Sequence, residues 1–146
     1  MTGSNHIDGG IIGNQAAGRP ENTEEQGMNR QQAVMAYAQG DKIKAGIIWV
    51  SQAAEQAAGL ELPERKGAEA LIQSLLHMIA HEIHLASRLS PHPAWQKAAG
   101  SLDMAIVMTR SGVIREASFH LTQALTQVTT VAQQAMTLLH QEGLLT

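Results

Sequence analysis

Cysteine is missing from this sequence, so neither a disulfide framework nor a thiolate metal site is available to it. That fits a reducing compartment and gives a cytoplasmic reading, although export without a cleaved signal is equally compatible with a protein that needs no oxidative folding. Aromatic residues make up only 3% of the chain, and no segment alternates apolar and polar positions with the β-branched and aromatic residues that strands favour. A sheet architecture has no support. No run of about 18 apolar residues can span a bilayer, and the N-terminus lacks the basic-then-apolar pattern of a signal, so a soluble protein without a membrane span is expected. Lys and Arg total 10 against 13 Asp and Glu, a formal net charge of -3. Nucleic-acid binding needs a clustered basic excess to meet the phosphates, and none is present. An enzyme has the least support, because there is no GxSxG elbow, no thiol nucleophile and no Gly-rich phosphate loop between a strand and a helix.

What the chain does contain is helical periodicity. An all-α protein follows, an antiparallel helical bundle with a long C-terminal helix. Residues 1–27 are Gly-rich and polar, with Ile7, Ile11 and Ile12 their only aliphatics beyond alanine, and read as a flexible tail ahead of one domain over 28–146. Alternatively they form an arm that orders on a partner through Ile11 and Ile12. Asn29 followed by Gln32 is a capping-box start, and a short helix over Arg30–Gln39 closes at Gly40. Asp41 then caps a second helix to Ala58, with Ile43, Ile47, Ile48, Val50 and Ala54 on its apolar side, ending at Gly59 before Pro63. A third helix runs from about Glu64 to Leu89, with Leu71, Ile72, Leu75, Ile79, Ile83 and Leu89 as its apolar side. Ser90-Pro91-His92-Pro93 breaks it. A short turn from Pro93 through Trp95 ends at Gly100. From an N-cap at Ser101 the pattern stays helical to about Gln141, with a weak point at Gly112 that costs about 1 kcal/mol relative to alanine.

The last helix carries Ile114, Ala117, Leu121, Ala124, Val128, Val131, Ala135 and Leu138 three and four residues apart, widened by Leu125, Ala132 and Leu139. Between Glu116 and Glu142 there is no Asp, Glu, Lys or Arg, so its other faces are Thr and Gln. A neutral face of this kind suits packing against protein, since no charge has to be desolvated. If continuous from Ser101 the helix would be roughly 60 Å long, too long for its partners to cover, so either Gly112 folds it back or the excess docks on a second chain. Core and contact positions are expected among Phe119, Leu121, Leu125, Val128, Ala132, Met136 and Leu139. The leading expectation is a non-enzymatic interaction or assembly protein (an adaptor, chaperone or oligomer subunit) whose partner is a copy of itself or a helical partner chain.

The polar residues offer two further chemistries. At about 100° per residue, His77, His81 and His84 fall within roughly 60° of one another on a helix. The i, i+4 pair His77/His81, or the i, i+3 pair His81/His84, can chelate Zn, Ni or Cu, with His120, His92 or a carboxylate from another element as an additional ligand, which makes a metal-binding or sensing domain the alternative function. Glu82 falls on the other side among Leu75, Met78, Ile79 and Leu89, where an unpaired carboxylate would cost several kcal/mol. Arg110, in line with Val107, Ile114 and Ala117, is its expected partner in a buried ion pair.

Two short segments resemble known families. Tyr37, Gly40-Asp41, Ala45 and Trp49 look like the turn and second helix of a tetratricopeptide repeat; the likeness covers some 25 residues, occurs once and lacks the later proline. His81-Glu82-Ile83 resembles the His-Glu-hydrophobic core of the dimerisation and phosphoacceptor helix of sensor kinases. That resemblance implies a phosphohistidine transfer domain with His81 as acceptor. Ala86 stands where that family has proline, and no ATP-binding domain follows.

Overall fold

Asn29 starts the first helix as its sequence implies. The Asn29 side chain accepts from the Gln32 backbone N–H at 2.8 Å, and the Gln32 side chain accepts from the Asn29 N–H at 3.0 Å. In the computed structural model, which describes residues 27–145, this capping box opens α1, Arg30–Ala58. The Ile11-Ile12 arm and all of the tail but Gly27 fall outside the described residues. Three more helices follow: α2 Leu62–Leu89, α3 Pro93–Arg110 and α4 Ile114–Gln141. No strand occurs among the described residues. Neighbours pack in a ring, α1 on α2, α2 on α3, α3 on α4 and α4 back on α1, which is an up-down-up-down four-helix bundle.

The connections carry the chemistry that stops a helix. Pro63 lies in the first turn of α2, where a missing N–H costs nothing. Pro93 opens α3, and His92 caps it, its Nδ1 accepting from the Ala94 N–H at 3.0 Å. The Ser90-Pro91-His92 turn is clamped from inside: the indole of Trp95, fully buried, donates to the Ser90 carbonyl at 3.0 Å. Gly112 has φ +82, and Val113 N–H bonds the Met108 carbonyl at 2.9 Å while Gly112 N–H bonds Thr109 at 3.1 Å. This is a Schellman termination, and its left-handed residue suits glycine.

Gly112 thus ends one helix and turns the chain into the next, and the continuous 60 Å rod does not form. α4 alone has 28 residues, about 42 Å, and α1 has 29, so the two run side by side for nearly their whole length. Arg30 at the start of α1 meets Glu142 at the end of α4 at 3.0 Å.

Two other boundaries, and two core stripes, differ from the sequence reading. Gly40 is interior to α1 and buried; a Cβ there would lie 3.0 Å from that of Ala132 on α4. The glycine permits close helix approach and does not end a helix. With no turn at Gly40-Asp41, the tetratricopeptide geometry is absent. Gly100 and Ser101 lie within α3, where Leu102, Ala105 and Ile106 face the core and hold the helix across the glycine. On α2 the core stripe is Ile72, Leu76, Ile79, Ile83 and Ala86, and Leu71, Leu75 and Leu89 lie outside it. The α4 stripe is Ile114, Ala117, Leu121, Ala124, Val128, Val131, Ala135 and Leu139, with Leu138 only partly buried.

Candidate protein-docking surface

α2 carries two apolar stripes at heptad spacing, offset by one residue. Ile72, Leu76, Ile79, Ile83 and Ala86 fill the bundle core. Leu71, Leu75, Met78, Glu82, Leu85 and Leu89 recur at i, i+4, i+7, i+11, i+14 and i+18 along the edge beside α1, and α1 covers them incompletely. Leu71 is 69% exposed, Met78 63% and Leu75 41%. Opposite them on α1 stands Trp49, 71% exposed.

The gap between these rows is a groove of about 320 Å³ lined by Trp49, Val50, Leu75, Met78 and Ile79, with Gly46 leaving it open on the α1 side. A Cβ at Gly46 would meet Ile79 only at ordinary contact distance, 3.5–3.6 Å. Lys42 and Glu82 close one end, the ammonium donating to the carboxylate. Above that pair the surface has no formal charge, since neither 45–54 on α1 nor 70–81 on α2 contains Asp, Glu, Lys or Arg.

The Lys42 bond corrects the expected Glu82–Arg110 pair. Glu82 is half-buried at the α1–α2 edge and Lys42 reaches it from one helix away. Arg110 is exposed at the last turn of α3, roughly 15 Å further along the bundle axis by helical rise. The expectation rested on a continuous last helix, and the Gly112 turn removes that geometry.

His77, His81 and His84 are all exposed on the outer side of α2, as the wheel implies, and His77 and His81 border a shallow depression with Lys42, Met78 and Glu82. His120 lies on α4, diagonally across the ring from α2, edge-on to Phe119 with ring centroids 5.3 Å apart. His92 is occupied in capping α3 and in a 2.8 Å bond to Gln134. Among the described residues no three His, Asp or Glu side chains converge to hold a metal ion. His77 and His81 supply two ligands at most. α2 continues unbroken past Ala86, where the sensor-kinase pattern has proline, and the Glu82 carboxylate beside His81 is engaged by Lys42.

Of the contact positions expected on the last helix, Leu121, Val128 and Leu139 are buried in the protomer's own core, Leu125 packs partly against it, and Ala132 is half-buried where α4 crosses Gly40. Phe119, 61% exposed, and Met136 remain outside. The neutral face around them is Thr and Gln, and Thr122, Thr126, Thr130 and Thr137 each donate to the carbonyl four residues earlier at 2.9–3.1 Å. Those hydroxyls are satisfied within the helix. The larger unfilled apolar surface is therefore on α1 and α2, not on α4. Sequence reasoning missed Trp49 and Gly46 as a pair; the signal was present in the charge-free stretches at 45–54 and 70–81.

No described helix is long and apolar enough to cross a membrane. Comparison of the chain with protein-family models, with curated proteins and with solved structures gives no match in any of the three.

Proposed function

We propose that this chain is a non-enzymatic helical-bundle interaction protein of the cytoplasm, an adaptor, chaperone or oligomer subunit, whose α1–α2 face meets another protein. The observation that carries the reading is the concentration of Trp49, Leu71, Leu75 and Met78, 41–71% exposed, on a surface free of formal charge. Contiguous exposed apolar patches of several hundred Å² on small monomers mark interaction sites far more often than they serve the fold. The bundle core does not need these side chains, because α2 fills it with a separate stripe.

A photo-crosslinking residue in place of Met78, in the full chain expressed in cells, tests this. The reading expects an adduct heavier than the protomer. Irradiation that yields the protomer alone would contradict it.

A metal-binding or sensing role for His77 and His81 with Zn or Ni is the second reading, supported by their shared exposure beside Glu82. It expects a melting temperature that rises with Zn²⁺ and ceases to do so in His77→Ala. Phosphotransfer through His81 is the third, supported by that residue's exposure, and expects acid-labile label from a small phosphodonor.

A further inference from the structure

We infer that the occupant of the α1–α2 groove is a second copy of this chain, related by a two-fold axis, with Trp49 of each protomer inserted into the groove of the other. This rests on the interaction reading above and adds the partner and the contact. The face holds knob and hole together. Trp49 projects at 71% exposure from the rim of an apolar slot that Gly46 leaves empty. A surface that presents both, side by side, can satisfy itself across a two-fold axis, since each insertion implies its reciprocal. An engineered cavity of about 150 Å³ in another protein takes a benzene ring. At about 320 Å³ and half open, this groove has room for an indole.

Charge permits the same occupant. A partner recruited by electrostatic complementarity would face a surface of one sign, but Lys42 and Glu82 neutralise each other and no other formal charge lies along the groove. Two copies bring two neutral apolar faces together with no like charges opposed, and tryptophan is among the residues enriched as interface anchors in desolvated pockets.

The area is sufficient. At these exposures Trp49, Leu71, Leu75 and Met78 offer roughly 400–500 Å² of apolar side chain. A two-fold contact doubles this. With the polar rim of Gln52, Ser74 and His77 the total enters the ~1,200–2,000 Å² range of specific interfaces.

Sedimentation equilibrium on the full chain at micromolar concentration should give twice 15.6 kDa. Trp49→Ala removes the knob and Gly46→Leu fills the hole; each alone should sediment as a monomer with unchanged helical circular dichroism. Mixed in equal amounts they should associate more than either alone, because Trp49 of the Gly46→Leu chain can enter the groove of the Trp49→Ala chain, which Gly46, Val50, Leu75 and Ile79 still line. Met78→Glu, at a rim position 63% exposed, gives a variant whose folding the substitution does not threaten, and it should also be monomeric. A monomeric natural chain, a dimer that survives Trp49→Ala or Met78→Glu, or a mixture no more associated than its components would overturn the inference. The crosslinking at position 78 separates the two levels. An adduct with a different protein, beside a monomer in the centrifuge, removes the second copy and keeps the interaction reading; absence of any adduct removes both.

Discussion

At the residue scale, three glycines inside helices separate intrinsic propensity from packing. Gly100 on α3 has no atom within 4 Å of where its Cβ would be, and Gly46 has only ordinary contacts. Gly100→Ala should therefore stabilise the protein by about 0.5–1 kcal/mol, the usual gain of alanine over glycine in a helix. Gly40→Ala should do the opposite, costing about 1–3 kcal/mol, because the new methyl would sit 3.0 Å from Ala132 Cβ at the α1–α4 crossing. Urea melts of the two variants check both signs, and equal behaviour would contradict the close approach. A double-mutant cycle on Lys42 and Glu82 should return a coupling below ~1 kcal/mol, since the Lys42 side chain is 65% exposed and solvent screens the pair. The same cycle on Glu82 and Arg110 should return none.

At the scale of elements, the turns decide the topology. Gly112 converts what reads as one forty-residue helix into an antiparallel α3–α4 pair, and its φ of +82 explains why. Gly112→Ala should cost about 1–2 kcal/mol through the left-handed penalty, measurable as a lowered urea midpoint with an unchanged slope. A change within a few tenths of a kcal/mol would mean that the turn tolerates any residue. Trp95→Phe should cost more, about 2–4 kcal/mol, by leaving the Ser90 carbonyl buried without its donor and opening space in the core. Capping residues and prolines were legible in the sequence because their effect is local: Asn29 with Gln32, Pro63 and Pro93 mark helix starts where they occur. Gly40, Gly100 and Gly112 are not distinguished by local sequence. A glycine ends a helix, crosses one closely or merely lies in it depending on tertiary neighbours that periodicity does not encode. On α2, adjacent stripes one residue apart merged into one apolar side, so Leu71 and Leu75 read as core although α1 leaves them open.

At the scale of the whole molecule, the all-α bundle was readable because composition and the 3.6-residue period constrain it strongly. Only part of the site was. The exposed face of His77, His81 and His84 depends on one helix alone and is legible from its period. The Glu82–Arg110 pair depends on the last helix being continuous, and the Gly112 turn ends that continuity. The neutral character of the C-terminal helix was visible, but the fold spends Leu121, Val128 and Leu139 on its own core and leaves the larger apolar surface on α1 and α2. The account therefore turns on whether a second copy covers that surface. The chain holds two tryptophans, Trp95 fully buried and Trp49 at 71% exposure, so acrylamide quenching of their fluorescence reads that surface directly. In dilute solution one indole should be quenched and the other protected, and Trp49→Phe should abolish the quenchable component. As concentration rises, Trp49 should become protected and its emission should shift to the blue; a Trp49 equally accessible at every concentration would contradict the two-fold pairing.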